Sequence, residues 1–276
     1  MVYKKFDAHT HIYPEAIAEK ACINLGKFYD FTVHGAGTYP ALCAELKENG
    51  FNGMFLLCVA TNSHQVQKVN DTIVEAVAHA REQGFEAYGF MGMHQDFGDM
   101  AHEVKRCHDL GLTGAKIHPD IQACDIDDKR FYPMYEALQH YNMPIFLHMG
   151  DKRPEYRYSM ASKLKKVLAD FPTLKAVAAH FGSYSEWDNA GCLYGHPNVW
   201  YDLSSALWAL TPGQALELIR KCGYDRVMFG TDYPVYHIRD YEALFDKIEL
   251  TEEQKKNIYY NNAMRFLEEC KNSTKD

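Results

Sequence analysis

PIFLHMGD, residues 144–151, is an apolar run that ends on an imidazole, and the same construction recurs along the chain. It returns as KFDAHTH (5–11), GAKIHPD (114–120), AVAAHFGS (176–183) and RVMFGTDYP (226–234), each closing on His or Asp. Further runs of similar character bring the candidate strands to eight: Lys5–His9, Gly53–Val59, Ala87–Met91, Gly114–His118, Pro144–His148, Ala176–His180, Val199–Leu203 and Arg226–Thr231. Most are continuously apolar rather than alternating, as strands covered on both faces must be. Four of the eight nevertheless end on His, and a fifth is followed directly by Asp232. Packing does not explain polar residues at those places, whereas a site at the C-terminal mouth of a barrel does.

Between the runs lie segments with apolar residues at i, i+3 and i+4, as at 64–84, 100–111 and 160–172, which close on Gly84, Gly111 and Pro172. Strands alternating with amphipathic helices specify a parallel sheet, and eight such units in 276 residues specify an α/β fold, a single (β/α)₈ TIM barrel spanning 1–276. Residues 12–40 depart from the repeat: PEAIAEKACINLGKF (14–28) adds a helix and HGAGTYP (34–40) a glycine-rich loop, a lid-like insertion at the barrel mouth. Thr251–Cys270 reads as one final helix begun by a T-x-E cap.

A formal net charge of −8 leaves no surplus of Lys and Arg to neutralise phosphates, which argues against a nucleic-acid partner and for a small molecule. The eight cysteines include no CxxC pair, so reduced core thiols are expected. MVYKKFDAHTHIYP contains no apolar signal region, and the longest apolar runs, such as GMFLLCVA (53–60), are too short for a membrane span. A cytoplasmic location is the expectation, with a homodimer as one candidate assembly.

In FDAHTH, His9 and His11 are two residues apart, so a strand turns both to one side, where one metal can take both. His148 is a candidate third ligand. Asp232, in a Gly- and Pro-flanked turn, is costly to bury unless a cation accompanies it. His180 reads as a general acid/base or as another imidazole on the metal. Lys116 and His118 share a face of the fourth strand, with His118 level with His148 and Lys116 one layer lower; either could serve metal or substrate. Arg153 and Arg157, in the loop GDKRPEYRYS (150–159), offer forks for a substrate carboxylate. Trp187 and Trp208 could wall a pocket or simply pack.

With these residues placed, the chain resembles the amidohydrolase superfamily, in particular the amidohydrolase-related branch that includes amino-carboxymuconate-semialdehyde decarboxylase and related decarboxylases. The resemblance rests on DAHTHIYP, GAKIHPD, DIDDKRFYPMYEAL, PIFLHMGD, AAHFGS, VMFGTDYP and YYNNAMRFL, which run along nearly the whole chain. It implies metal ligation by His9, His11, His148 and Asp232, with His180 handling the proton of a metal-bound water. It also implies one divalent ion, zinc first and manganese as the alternative; a carboxylated Lys116 would instead bridge two. The reaction expected first is hydrolysis of a small anionic substrate, with Asp232 passing a proton to the leaving group, because hydrolysis is the commoner chemistry of the wider superfamily. The alternative is non-oxidative decarboxylation of an unsaturated or aromatic acid. A barrel retained only for binding would lack ligands, and none is missing here.

Overall fold

Eight parallel strands pair in sequence order: β1 (Phe6–His11), β2 (Gly53–Leu57), β3 (Glu86–Gly92), β4 (Gly114–Ile117), β5 (Ile145–Leu147), β6 (Ala176–Ala178), β7 (Val199–Asp202) and β8 (Val227–Met228). The computed structural model describes residues 3–272, so the first two and last four residues of the expected domain lie outside it. The ring closes by backbone hydrogen bonds between β1 and the chain leaving β8, Ala8 N to Phe229 O at 2.8 Å and His11 N to Tyr233 O at 2.7 Å. Each candidate strand overlaps an observed one, and the architecture is the expected (β/α)₈ barrel.

The helices are α1 (Glu15–Tyr29), α2 (Tyr39–Glu48), α3 (Val66–Glu82), α4 (Met100–Asp109), α5 (Pro119–Gln122), α6 (Tyr132–His140), α7 (Ala161–Asp170), α8 (Pro212–Cys222), α9 (Ile238–Phe245), α10 (Glu252–Lys256) and α11 (Asn262–Lys271). After β6 the outer helix is replaced by a 3-10 segment, Trp187–Leu193, where Gly191, Gly195 and Pro197 make a full helix unfavourable. The final helix expected over Thr251–Cys270 is interrupted by a π-helical stretch, Asn257–Asn261. Its Thr251 cap is reciprocated by Gln254 rather than a Glu. The π turn leaves the Ile258 carbonyl free to accept from Phe229 N at 2.8 Å, which ties the terminal helices to β8.

Inward side chains of the strands (Phe6, Phe55, Phe90, Phe146, Val177, Trp200) fill the barrel, and Phe266 of α11 packs against Phe55 and Trp200. The inward position of β4, paired in register with Phe146, is Lys116 rather than an apolar residue. Its ammonium lies 4.8 Å from the Phe146 ring centre. The barrel is therefore apolar in its body and becomes polar toward the C-terminal mouth. Among the described residues no helix is long and apolar enough to cross a membrane.

Candidate metal centre

β1 is irregular in its pairing with β2 between Asp7 and Thr10, yet it still delivers both imidazoles to one point. His9 Nε2 and His11 Nε2 are 3.1 Å apart, and Asp232 Oδ1 lies 3.2 Å from the first and 3.5 Å from the second. Atoms held by one ion through bonds of about 2.0–2.2 Å stand roughly 3.0–3.6 Å from one another, so all three edges suit a shared cation.

The hydrogen bonds on the far side of each ring settle what those nitrogens carry. His9 Nδ1–H donates to Asp202 Oδ2 at 2.8 Å, and His11 Nδ1–H donates to the Leu57 carbonyl at 3.1 Å. Both Nε2 atoms then present lone pairs, which repel at 3.1 Å unless a positive charge lies between them. Burial pushes His11 down to about 3, keeping it in the neutral form that ligates. Burial would raise Asp232, but the imidazoles of His9, His180 and His11 hold it below the ordinary carboxylate range. Its other oxygen accepts from Ser205 Oγ at 2.6 Å. The donor set fits a divalent metal.

His148 and His180 lie beside this triangle. His180 Nδ1–H donates to the Ser204 carbonyl at 2.8 Å, and its Nε2 lies 3.0 Å from His148 Nδ1. Burial lowers His180 to about 4 and His148 well below its usual value, so both are neutral. The structure thus joins His148 to the centre through His180, while its own ring stacks on His118 at 3.9 Å and 11°. Lys116 Nζ lies 3.5 Å from His9 Nε2, beneath the triangle; burial moves it down to about 8 against the pull of Asp232 and Asp202.

Three of these positions bend the backbone. His180, Ser205 and Asp232 adopt positive φ of 58°, 51° and 63°, a conformation non-glycine residues avoid and one that concentrates at functional sites.

The two arginines go elsewhere. Arg153 chelates Asp151 through Nε and Nη2 at 3.0 and 2.6 Å, and Arg157 pairs with Glu186. Trp208 stands 47% exposed, and Trp187 packs against the core.

Several participants were not among the sequence candidates. Asp202, at the end of β7, accepts from His9 Nδ1, the backbone N–H groups of His180 and Ser204, and the Ser204 hydroxyl. It closes VWYD as His148 closes PIFLH, so the strand-end rule would have found it. Asp7 accepts from Thr231 Oγ1, Thr231 N and His9 N, fastening β1 to the β8 end. Tyr29, from α1, places its hydroxyl 2.9 Å from His118 Nε2 and 3.1 Å from His148 Nε2; no local signal marks it.

Comparison with known proteins bears on the fold and the family. The fold is similar to that of a dihydroxybenzoic acid decarboxylase from a Polaromonas species, solved with bound manganese and the inhibitor 2-nitroresorcinol. The TM-score is 0.71 at 17% identity, over 97% of each chain. In sequence, the chain is 24% identical over 254 residues to a gamma-resorcylate decarboxylase of Polaromonas, covering 73% of this chain and 75% of that one. It is also 24% identical over 238 residues to a 2-amino-3-carboxymuconate-6-semialdehyde decarboxylase of Dictyostelium discoideum, covering 73% of this chain and 66% of the relative.

These relatives overturn the first expectation, a metal-dependent hydrolase, because they are decarboxylases. The error has a physical root: hydrolysis and decarboxylation use the same ligands, so the strand-end residues do not say which bond breaks. The likeness runs from the first strand to the last helix, and since the amidohydrolase family model matches residues 6–268, the chain belongs to that family.

Proposed function

We propose that the protein is a metal-dependent carboxy-lyase that removes the carboxyl group of a small aromatic acid. The observation that carries this reading is the pair of fixed tautomers at His9 and His11, which aim two lone pairs at one point beside Asp232, in a chain whose curated relatives are decarboxylases. His9, His11 and Asp232 would hold one divalent ion. His148 would support them through His180, its Nδ1–H donating to His180 Nε2 at 3.0 Å. Imidazole and carboxylate ligands suit both zinc and manganese. When bound, the ion supplies a Lewis acid that polarises the oxygens of the substrate.

The chain's own residues supply the rest. In decarboxylation the bond between ring and carboxyl carbon breaks, its electron pair stays on the ring carbon, and a proton takes the place of the departing carbon dioxide. His180 and Asp232 would handle that proton. His180 is fixed by the Ser204 carbonyl so that Nε2 faces the centre. Lys116 and His118 offer polar contacts to the acid, Lys116 from beneath His9 and His118 from beside His148. Tyr29 and Tyr184 stand over the imidazoles and suit an aromatic ring. Residues 12–40 act as a lid within a single barrel domain.

The test is to load the protein with zinc or manganese and offer a panel of hydroxybenzoic acids, lactones and amides while measuring carbon dioxide. Release from an aromatic acid, lost in the His9→Ala/His11→Ala double variant with the barrel still folded, is the expected result. Turnover of a lactone or amide without carbon dioxide would sink the proposal.

A further inference from the structure

Helix α1 is held over the metal centre by its ends and not by its body. Of its 15 residues only Ala18 is buried, whereas α3 buries six of 17. Ile17 and Ile23 are 51% and 50% exposed. An open cavity of about 760 Å³, lined by Cys22, Ile23, Gly26 and Phe31 among others, lies between the helix and part of the chain that follows it. A helix with so few buried apolar contacts opens locally at low free energy.

The two attachments differ. On one side the attachment is backbone: Tyr13 N donates to Gly37 O at 2.7 Å, which closes the segment on itself, and Gly35 N to Pro234 O at 2.8 Å and His34 N to Val235 O at 3.2 Å tie it to the loop carrying Asp232. A side chain at Gly35 would strike the Tyr233 ring at 2.7 Å, so this contact is close and fixed. On the other side the attachment is made by side chains. Arg153 Nη1 donates to the Phe28 carbonyl, one of the orphan acceptors in the last turn of α1. Its guanidinium, anchored on Asp151, lies 4.6, 5.2 and 4.0 Å from the ring centres of Phe28, Tyr29 and Tyr156. The residue after Phe28 is Tyr29, whose hydroxyl closes on His118 and His148.

We propose that α1 is a hinged lid and Arg153 its latch, a positioning residue that holds Tyr29 across the His118–His148 pair and releases it to admit a ring-sized acid. The hinge is the backbone-tied side at residues 13 and 35–37. His11 and Asp232 keep 13% and 16% of their side chains exposed, so water reaches the centre with the lid down. The latch needs the planar fork of an arginine, since lysine can pair with Asp151 but cannot also reach the carbonyl and stack between aromatic rings.

The inference rests on the proposed metal centre for one of its readouts and not for the other, so the two can fail separately. The metal-loaded protein is exposed to trypsin, whose targets Lys20 and Lys27 lie on α1, and in parallel to dipicolinate, with the rate of metal loss recorded. Arg153→Ala should accelerate both processes at least about tenfold, the factor expected for losing a charge-assisted hydrogen bond. Arg153→Lys should fall between it and the parent chain, and decides alone if Arg153→Ala does not fold. Tyr29→Phe, which keeps the ring and loses the hydroxyl contacts, should accelerate metal loss by a smaller factor. Unchanged cleavage and unchanged metal loss would overturn the latch. So would faster cleavage with unchanged metal loss, since the helix would move without uncovering the centre, and so would the reverse, since the centre would open by another route. A protein that binds no metal at all would defeat the proposed function, while cleavage at α1 still decides the latch.

Discussion

Asp202 Oδ2 lies 2.8 Å from His9 Nδ1, and this one contact decides which nitrogen of His9 faces the metal centre. The carboxylate is buried, and although burial alone would raise it, His9, His180 and Ser204 hold it below the ordinary range. Partners of this kind fix the tautomer of a ligating histidine and typically account for about 10- to 100-fold in metal affinity. Asp202→Ala should therefore weaken metal binding on that scale in a chelator competition, and Asp202→Asn, which keeps an acceptor, should weaken it less. Equal affinity in all three proteins would mean that Ser204 Oγ, 2.9 Å from the same nitrogen, suffices.

His180→Asn separates proton handling from ligation. Asparagine tolerates the positive φ of 58° at this position better than most residues, so the backbone should survive. Metal content should stay near that of the parent protein while turnover falls about 10²- to 10⁴-fold, the usual contribution of general acid/base catalysis. Loss of the ion together with activity would make His180 a ligand, and full activity would remove it from the mechanism.

The barrel was legible because its strands carry two messages at once: an apolar run for the body and a polar residue where the run reaches the mouth. His9, His11 and Asp232 gather their ligand atoms at one point, whereas His148, expected with them, groups with His118 and Asp120, and Lys116 lies one layer below His118 as counting from the strand start indicates. What sequence did not reveal depends on contacts between distant segments. Tyr29 meets His118 across 89 positions, and nothing in GKFYDF announces it. Arg153 looks like a carboxylate fork waiting for substrate, but a carboxylate two residues away and an aromatic cage from α1 already engage it. The interruption at Asn257–Asn261 follows from a hydrogen bond to β8 that helical periodicity cannot encode.

Away from the mouth, Glu103 gives a prediction about stability. Its fully buried carboxylate accepts from Arg106 at 2.7 and 2.9 Å and from Asn70 at 2.8 Å, and Asn70 in turn accepts from the backbone of Gly92. The network joins α4, α3 and β3. Burial raises Glu103, but the hydrogen bonds from Arg106, Asn70 and Gln67 outweigh it and leave the group below its ordinary value of 4.5. Its contribution is then fully present above about pH 4.5 and is lost as pH falls through the lower folded value. Glu103→Gln should cost roughly 2–3 kcal/mol in denaturant unfolding at pH 7. The difference from the parent chain should narrow below pH 4.5. A constant difference down to pH 3 would show that the charge on Glu103 is not what the network uses.

Lys116 decides how many ions the mouth holds. To bridge two metals it would have to carry a carboxyl group on Nζ, yet that atom lies 3.5 Å from His9 Nε2 and 4.8 Å from the centre of the Phe146 ring, in the layer beneath the ligand triangle. As an amine or ammonium it presents a donor and a positive charge to the substrate side, and it supplies no oxygens for a second ion. Elemental analysis of the loaded protein should therefore give about one equivalent of zinc or manganese, in keeping with the three protein ligands at a site that keeps a position open. Lys116→Met, similar in volume and apolar like its neighbours, should retain that equivalent and lose activity. Two equivalents in the parent protein falling to one in Lys116→Met would establish a bridging lysine and replace the one-ion reading.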